Sequence, residues 1–82
     1  MIKILFFANL REKLQSSELS IEWPIENTVL ALATQLAEQG GDNWQLLLAE
    51  ETVCAINQQV AERDAVIKDG DEIAFFPPVT GG

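Results

Sequence analysis

Apolar side chains alternate along the first segment of the chain, a pattern that predicts a β-strand over residues 2–7. Both alternating sets are largely apolar: Ile2, Ile4 and Phe6 form one, and Lys3, Leu5 and Phe7 form the other. We therefore expect a central strand that is covered on both faces. A second alternation over residues 19–23 predicts a half-buried strand that Pro24 ends. The polar stretch 11–17 between them predicts a loop or a short turn.

After Thr28 the period of the apolar positions changes to that of a helix. The apolar positions at helical spacing are Val29, Leu32, Ala33 and Leu36. The hydroxyl of Thr28 is placed to cap the first turn, and Gly40 and Gly41 are suited to end the helix because glycine adopts the left-handed conformation without a side-chain penalty. A further short helix is expected over residues 44–48.

The second half of the chain predicts the remaining strands. Residues 53–57 form a short apolar strand, which 58–61 either continues or pairs with, and 72–76 form the last strand after a turn at 68–71. The order is therefore β-β-α-β-β-β. We expect one helix on one face of a mixed sheet of about five strands, with the first and last strands as central neighbours. This α+β pattern resembles the β-grasp, or ubiquitin-like, architecture.

The charge of the chain restricts its partners. The 82 residues, enough for one domain, include 13 acidic and 5 basic ones, which gives a formal net charge of −8. Scattered basic residues do not favour nucleic acid, and an acidic membrane surface would repel the protein. A protein with a basic surface is the favoured partner, although the acidic residues could equally serve solubility alone. Because no apolar run is long enough to span a bilayer and no secretory leader is present, we expect a cytoplasmic protein.

The residues that usually carry catalysis are scarce. The sequence has no histidine and a single cysteine, Cys54, which excludes Ser-His and Cys-His catalysis and an intramolecular disulfide. Cys54 lies in an apolar strand, where a buried and inert thiol is the usual outcome. We therefore expect no bound metal or cofactor, and chemistry that a partner largely supplies.

The C-terminus offers a chemical group of its own. Residues 77–82 read PPVTGG, so two prolines stiffen the base of an arm that ends in two glycines. A chain end without Cβ atoms passes through a narrow channel and adopts the backbone angles that the channel requires. Adenylation of the terminal carboxylate would make it an acyl donor that a sulfur nucleophile attacks. The alternative is a frayed terminus without a role.

Three segments carry a resemblance to a known family. Residues 69–82 read DGDEIAFFPPVTGG, residues 1–8 read MIKILFFA with Arg11 and Glu12 after them, and residues 55–58 read AINQ. These segments resemble the small, sulfur-carrier subunit of molybdopterin synthase, a family of ubiquitin-like proteins, in length and order over the whole chain. Carriers for thiamine synthesis and tRNA thiolation share the Gly-Gly end but not, as a rule, the FFPPVT before it.

The resemblance implies a β-grasp domain over residues 1–76, followed by an extended tail over 77–82. Gly82 would be adenylated by a ubiquitin-activating-like enzyme that uses ATP, and converted to a thiocarboxylate. The tail residues Pro77, Pro78, Val79, Thr80 and Gly81 would enter the large subunit of the synthase. There the thiocarboxylate would donate sulfur to a cyclic pyranopterin monophosphate, and two such transfers would build the molybdopterin dithiolene. The assembled synthase would be a heterotetramer of two large and two small subunits, and the chain would be no enzyme by itself.

The sequence also indicates a docking face. If Ile73 and Phe75 point into the core, Phe76 is an exposed aromatic beside the tail, and Phe7 joins it by the same alternation. The resemblance adds Arg11 and Val60 as partner contacts. Exposed aromatics and arginine are typical interface anchors, but Phe7 and Phe76 could instead be core residues. Two other functions stay open: a ubiquitin-like modifier joined through Gly82 to a lysine, and a plain acidic interaction domain with an idle tail.

Overall fold

The first and last strands of the chain lie side by side in a computed structural model, which describes residues 1–22, 27–49 and 52–77. The elements in chain order are β1 (Ile2–Phe6), α1 (Ala8–Leu14), β2 (Glu18–Ile21), β3 (Asn27–Thr28), α2 (Val29–Gly40), a 3₁₀ helix (Asp42–Leu48), β4 (Val53–Ile56), β5 (Gln59–Ala61), β6 (Val66–Ile67) and β7 (Glu72–Phe76).

Five of these strands form a mixed sheet in the order β2-β1-β7-β4-β5. β1 pairs parallel to β7, with Ile4 opposite Ile73, and antiparallel to β2. β4 pairs antiparallel to both β7 and β5. The predicted mixed sheet, with the first and last strands as inner neighbours, is confirmed. β7 therefore occupies the middle of the sheet and is paired on both of its edges.

The helices cover one face of this sheet, and the core lies between the two layers. The predicted apolar face of α2 is buried there, and the side-chain oxygen of Thr28 accepts a hydrogen bond from the Ala31 amide at 3.1 Å. The prediction of a capped helix that ends at Gly40 is confirmed. The largest fully buried side chains are Phe6, Phe75, Ile2, Ile4, Leu32, Leu47, Ile67, Ile73 and Val29.

The expectation that β1 is covered on both faces is wrong. Ile2, Ile4 and Phe6 are buried, but on the opposite face Lys3 is exposed and Leu5 is only partly buried. The buried leucines of the described helices join the core on the Ile2 side, and no described element forms a second layer on the Leu5 side. An apolar pattern on both faces therefore indicates here one core face and one accessible apolar face.

The prediction of a loop over residues 11–17 is also wrong, since α1 covers most of it. Leu10 and Leu14, four residues apart, are buried against the core, and this burial stabilises a short helix whose other positions, apart from Ala8, are polar. Gln15 then ends it in the left-handed conformation, with φ of 54°. The predicted element order also lacked the two-residue pair β3–β6, whereas the short helix expected at 44–48 is present as the 3₁₀ helix.

Candidate docking face and C-terminal tail

The accessible face of the sheet contains an apolar groove of about 340 Å³. We call it the open-face groove and define it by its apolar lining residues: Leu5, Phe7, Ala55, Val60, Ala74 and Phe76. Gln58 and Glu72 add polar atoms to its lining. The groove crosses four strands of the sheet, so its shape is fixed by the backbone hydrogen bonds of the sheet.

The strand register explains why these residues meet. Leu5 lies opposite Ala74, Ala74 opposite Ala55, and Ala55 opposite Val60, which places one row of apolar side chains across the sheet. The two alanines are buried, with 4% and 7% of their surface exposed, and form a floor with no side chain beyond Cβ. Val60 is 79% exposed at the edge strand. A protruding apolar side chain of a partner would fit this row.

One end of the groove is formed by two stacked aromatic rings. The ring centroids of Phe7 and Phe76 are 4.8 Å apart, with an angle of 8° between the ring planes. On the core side of the same strands, Phe6 and Phe75 also stack, with centroids 6.1 Å apart. Phe7 retains 40% of its surface exposed, and Phe76 is partly buried. The alternation predicted from the sequence therefore places Phe7 and Phe76 on the accessible face.

The structure brings three of the four predicted docking residues into one groove. Phe7, Val60 and Phe76 line it, whereas Arg11 is exposed on α1 and is not among its lining residues. Their roles in partner binding stay predictions. The sequence reasoning missed Leu5, Ala55 and Ala74, although Leu5 shares the alternation that identified Phe7.

Gln58 was missed for a different reason, because its position depends on a tight turn. Asn57 and Gln58 both have positive φ, 51° and 72°, and connect β4 to β5 as a two-residue hairpin turn. The Asn57 side chain accepts a hydrogen bond from the Glu72 amide at 3.0 Å and donates one to Asp71 Oδ1 at 3.0 Å. The sequence signal that could have predicted this turn was Asn57, because asparagine tolerates the left-handed region better than most residues.

The predicted tail begins where β7 ends. Pro77 is the last residue of this segment that the structure describes, and it follows Phe76 directly. Pro78, Val79, Thr80, Gly81 and the terminal Gly82 lie outside the described residues. The groove, which Phe76 lines, is thus adjacent to Pro77, the first residue of the predicted tail.

Cys54 is buried on the core side of β4, its thiol donates to the Ala61 carbonyl at 3.1 Å, and burial raises the pKa of that thiol. Within the described ranges, no group of three or more His, Cys, Asp or Glu side chains is arranged to hold a metal ion. None of the described helices has the length and apolar character needed to cross a bilayer.

A ubiquitin-like β-grasp domain with an apolar face beside its C-terminus is typical of a small carrier or modifier protein. The ThiS family model matches residues 4–82, and the chain belongs to this family. Over 85 residues it is 45% identical to the molybdopterin synthase sulfur carrier subunit of Escherichia coli (strain K12), with 100% of both chains covered. This relative confirms the assignment made from the sequence, a sulfur carrier subunit of molybdopterin synthase.

Solved structures agree with the fold. The crystal structure of SAMP1 from Haloferax volcanii is 26% identical, with a TM-score of 0.77, 99% of this chain covered and 98% of that one. A complex of subunits 1 and 2 of molybdopterin-converting factor from Helicobacter pylori 26695 contains a chain 23% identical to this one. For that pair the TM-score is 0.66, with 99% of this chain and 97% of that chain covered. Both likenesses support the β-grasp assignment.

Proposed function

We propose that the chain delivers sulfur through its own C-terminal carboxylate while the open-face groove holds the receiving subunit. The observation that carries this proposal is the position of the groove: its aromatic end, Phe7 and Phe76, lies where β7 ends and the Gly-Gly segment follows. A partner bound in the groove would be next to the root of the tail. Binding and delivery are thus assigned to two adjoining parts of one small domain.

The chemistry begins at Gly82. Its carboxylate attacks the α-phosphorus of ATP, which forms an acyl adenylate and releases pyrophosphate. A sulfur nucleophile at the oxidation level of sulfide then attacks the acyl carbon and AMP leaves, which yields a thiocarboxylate. The activating enzyme, a ubiquitin-activating-like adenylyltransferase, binds the ATP, so this chain needs no bound cofactor. The two glycines, Gly81 and Gly82, allow the end to enter a narrow active site because no Cβ obstructs it.

The second partner is the large subunit of molybdopterin synthase, into which residues 77–82 insert. There two thiocarboxylates in turn donate sulfur to cyclic pyranopterin monophosphate. In each transfer water attacks the acyl carbon of Gly82, the sulfur stays on the pterin, and the Gly82 carboxylate is restored. The Helicobacter pylori complex of the two converting-factor subunits supports a pairing of this kind. We propose the assembly of two large and two small subunits that the family resemblance implies.

The charge and the groove together define the partner surface. The net charge of −8 favours a partner with basic residues around an apolar protrusion that fills the row from Leu5 to Val60. We place Arg11, which is exposed on α1, at the rim of that interface. The proposed location is the cytoplasm, in accord with a single cysteine that is buried as a free thiol.

The test follows the C-terminus through one cycle. The chain is incubated with the activating enzyme, ATP and a sulfide source, and its intact mass is measured. The expected result is the increment for replacing one oxygen by sulfur at Gly82. The purified thiocarboxylate is then given to the large subunit with cyclic pyranopterin monophosphate, and dithiolene product is expected only with this form.

Two controls keep the proposal falsifiable. Deletion of Gly82 should abolish product formation without lowering the melting temperature, because the buried core residues described above all lie within residues 2–75. A C-terminal amide should behave in the same way, since it cannot be adenylated. If either control supports dithiolene formation, the proposal is wrong.

The alternatives give different products in the same assay. A ubiquitin-like modifier would produce conjugates joined through Gly82 to lysines of other proteins, visible as higher-mass species. A carrier for thiamine synthesis or tRNA thiolation would acquire the sulfur but transfer none of it to cyclic pyranopterin monophosphate. An interaction domain with an idle tail would show neither change.

A further inference from the structure

The stacked rings of Phe7 and Phe76 connect the ends of two parallel strands. β1 and β7 run in the same direction, and their last paired residues are Phe6 and Phe75. The Phe7 amide donates to the Phe75 carbonyl at 3.2 Å, which extends the ladder by one more bond. The nearly parallel rings, 4.8 Å apart, therefore close the carboxyl end of this strand pair on the accessible face.

Beyond this point the two strands no longer pair with each other. β1 stops because Ala8 has φ of 52° and begins α1, with Phe7 still extended at φ of −119° and ψ of 155°. Pro77 follows Phe76 and has no amide hydrogen with which to extend the ladder. The ring of Phe7, the residue directly after β1, is thus the contact on this side of Phe76, the residue before the predicted tail.

The opposite edge of β7 is held at the same level by strand pairing with β4. Val53 is paired with Phe76 from β4, but Val53 is the first residue of its strand. Phe76 lies between these two neighbours, and of the two it is Phe7 that presents a flat ring to it. Aromatic pairs of this geometry contribute beyond the area that they bury.

We propose that Phe7 is a positioning residue for sulfur transfer, one that fixes the direction in which the tail leaves β7 through its stack on Phe76. The proposal rests on the proposed function, because it concerns how Gly82 reaches the reacting pterin. A tail root held in one orientation brings the terminal carboxylate to the partner site more often in productive geometry. Phe7 therefore affects the rate within the assembled complex, as well as the assembly itself.

The experiment compares three variants of the full chain, each loaded as the thiocarboxylate and given to the large subunit with cyclic pyranopterin monophosphate. Phe7→Leu keeps an apolar side chain but removes the ring, Phe7→Tyr keeps the ring, and Val60→Ala alters the groove away from the stack. Phe7→Leu should lower kcat by about two- to tenfold, the range that an aromatic pair corresponds to. Phe7→Tyr should keep the wild-type kcat, and Val60→Ala should mainly raise the KM for the thiocarboxylated chain.

A second measurement on the free chain does not depend on activity. The heteronuclear ¹H–¹⁵N NOE of the Phe76 amide should fall in Phe7→Leu and stay at the wild-type value in Phe7→Tyr and Val60→Ala, because only the first loses the stack. Melting temperatures confirm that each variant is folded.

The outcomes separate the two proposals. If Phe7→Leu changes only KM and leaves the Phe76 NOE unchanged, Phe7 is a docking contact and the positioning role is wrong. If the wild-type thiocarboxylate transfers no sulfur, the proposed function fails, and the NOE comparison alone then decides whether Phe7 orders the end of β7.

Discussion

The indole ring of Trp44 lies against the backbone of Gly40 so closely that a Cβ placed on Gly40 would be 2.2 Å from Trp44 Cγ. The same indole meets the ring of Phe6 edge to face, with centroids 5.3 Å apart. Trp44 therefore bridges the end of α2 and the core side of the sheet. The absence of a side chain at Gly40 is what leaves room for it.

This contact predicts that Gly40→Ala destabilises the domain. Gly40 is the last residue of α2, and replacing a helical glycine by alanine alone favours the helix by up to about 1 kcal/mol. Overpacking against a ring costs about 1–3 kcal/mol, so the steric effect should prevail. Urea unfolding should show a lower free energy of unfolding for Gly40→Ala. In a Trp44→Leu background the penalty should disappear, and an equal penalty there would contradict the packing explanation.

The hydrogen bonds of the Arg63 side chain predict a second position at which substitution destabilises the domain. Its guanidinium donates to the carbonyls of Leu47 at 2.8 Å, Ala49 at 2.5 Å and Thr52 at 3.1 Å, joining the end of the 3₁₀ helix to the start of β4. Lysine lacks the planar fork needed to reach three acceptors. Arg63→Lys should lower the free energy of unfolding by about 1–3 kcal/mol in urea titration. Arg11→Lys, at an exposed site on α1, is the matched control and should stay within about 0.5 kcal/mol.

The contact between the Met1 ammonium and Asp69 predicts that the stability of the domain depends weakly on pH. The Met1 ammonium donates a hydrogen bond to Asp69, and this bond, with the ammonium charge, holds the pKa of the Asp69 carboxyl below its usual value. A carboxyl whose pKa is lowered in the folded state stabilises the folded protein at every pH above its ordinary pKa. This stabilisation is lost as the pH falls through the lowered pKa.

Asp69→Asn should therefore reduce the fall in melting temperature between about pH 6 and about pH 3. The effect should be modest, because Asp69 is exposed and solvent screens the pair. N-terminal acetylation removes the same ammonium, so the two changes together should have no more effect than one alone. Additive effects would show that Asp69 acts through some other group.

Cys54 should react slowly with thiol reagents. Burial raises the pKa of its thiol, so less of it is thiolate at mildly alkaline pH, and the sheet also covers it. At about pH 8, modification by a disulfide reagent should be at least about tenfold slower in the native protein than in urea. Equal rates in both would place Cys54 on an accessible surface.

Two exposed valines give a matched test of the docking face. Val60 is 79% exposed in the open-face groove, and Val66 is 51% exposed on β6 in the two-stranded sheet. Val60→Asp should weaken binding to the large subunit by about tenfold or more, because the partner would bury a charge in the apolar groove, whereas Val66→Asp should leave the Kd unchanged. Calorimetric titration measures both. Equal losses would indicate general repulsion by the added charge instead of a specific face.

Local signals in the sequence were sufficient for the regular elements that depend on them. The alternation along β1 and β7, the Thr28 cap and the glycine end of α2 all describe neighbours within a few residues. The short helix α1 was missed because its polar surface dominates the local pattern. Leu10 and Leu14 acquire their importance only from the core against which they pack.

By itself, the sequence determined the chemistry that this protein lacks and the family to which it belongs: no histidine, one cysteine, and an FFPPVTGG end. Only the tertiary structure decided that the described helices leave one face of the sheet open, and that Phe7 and Phe76, distant in sequence, stack at its end. The physical reason is that alternation fixes which side chains share a face, whereas the packing of the helices determines which face is covered.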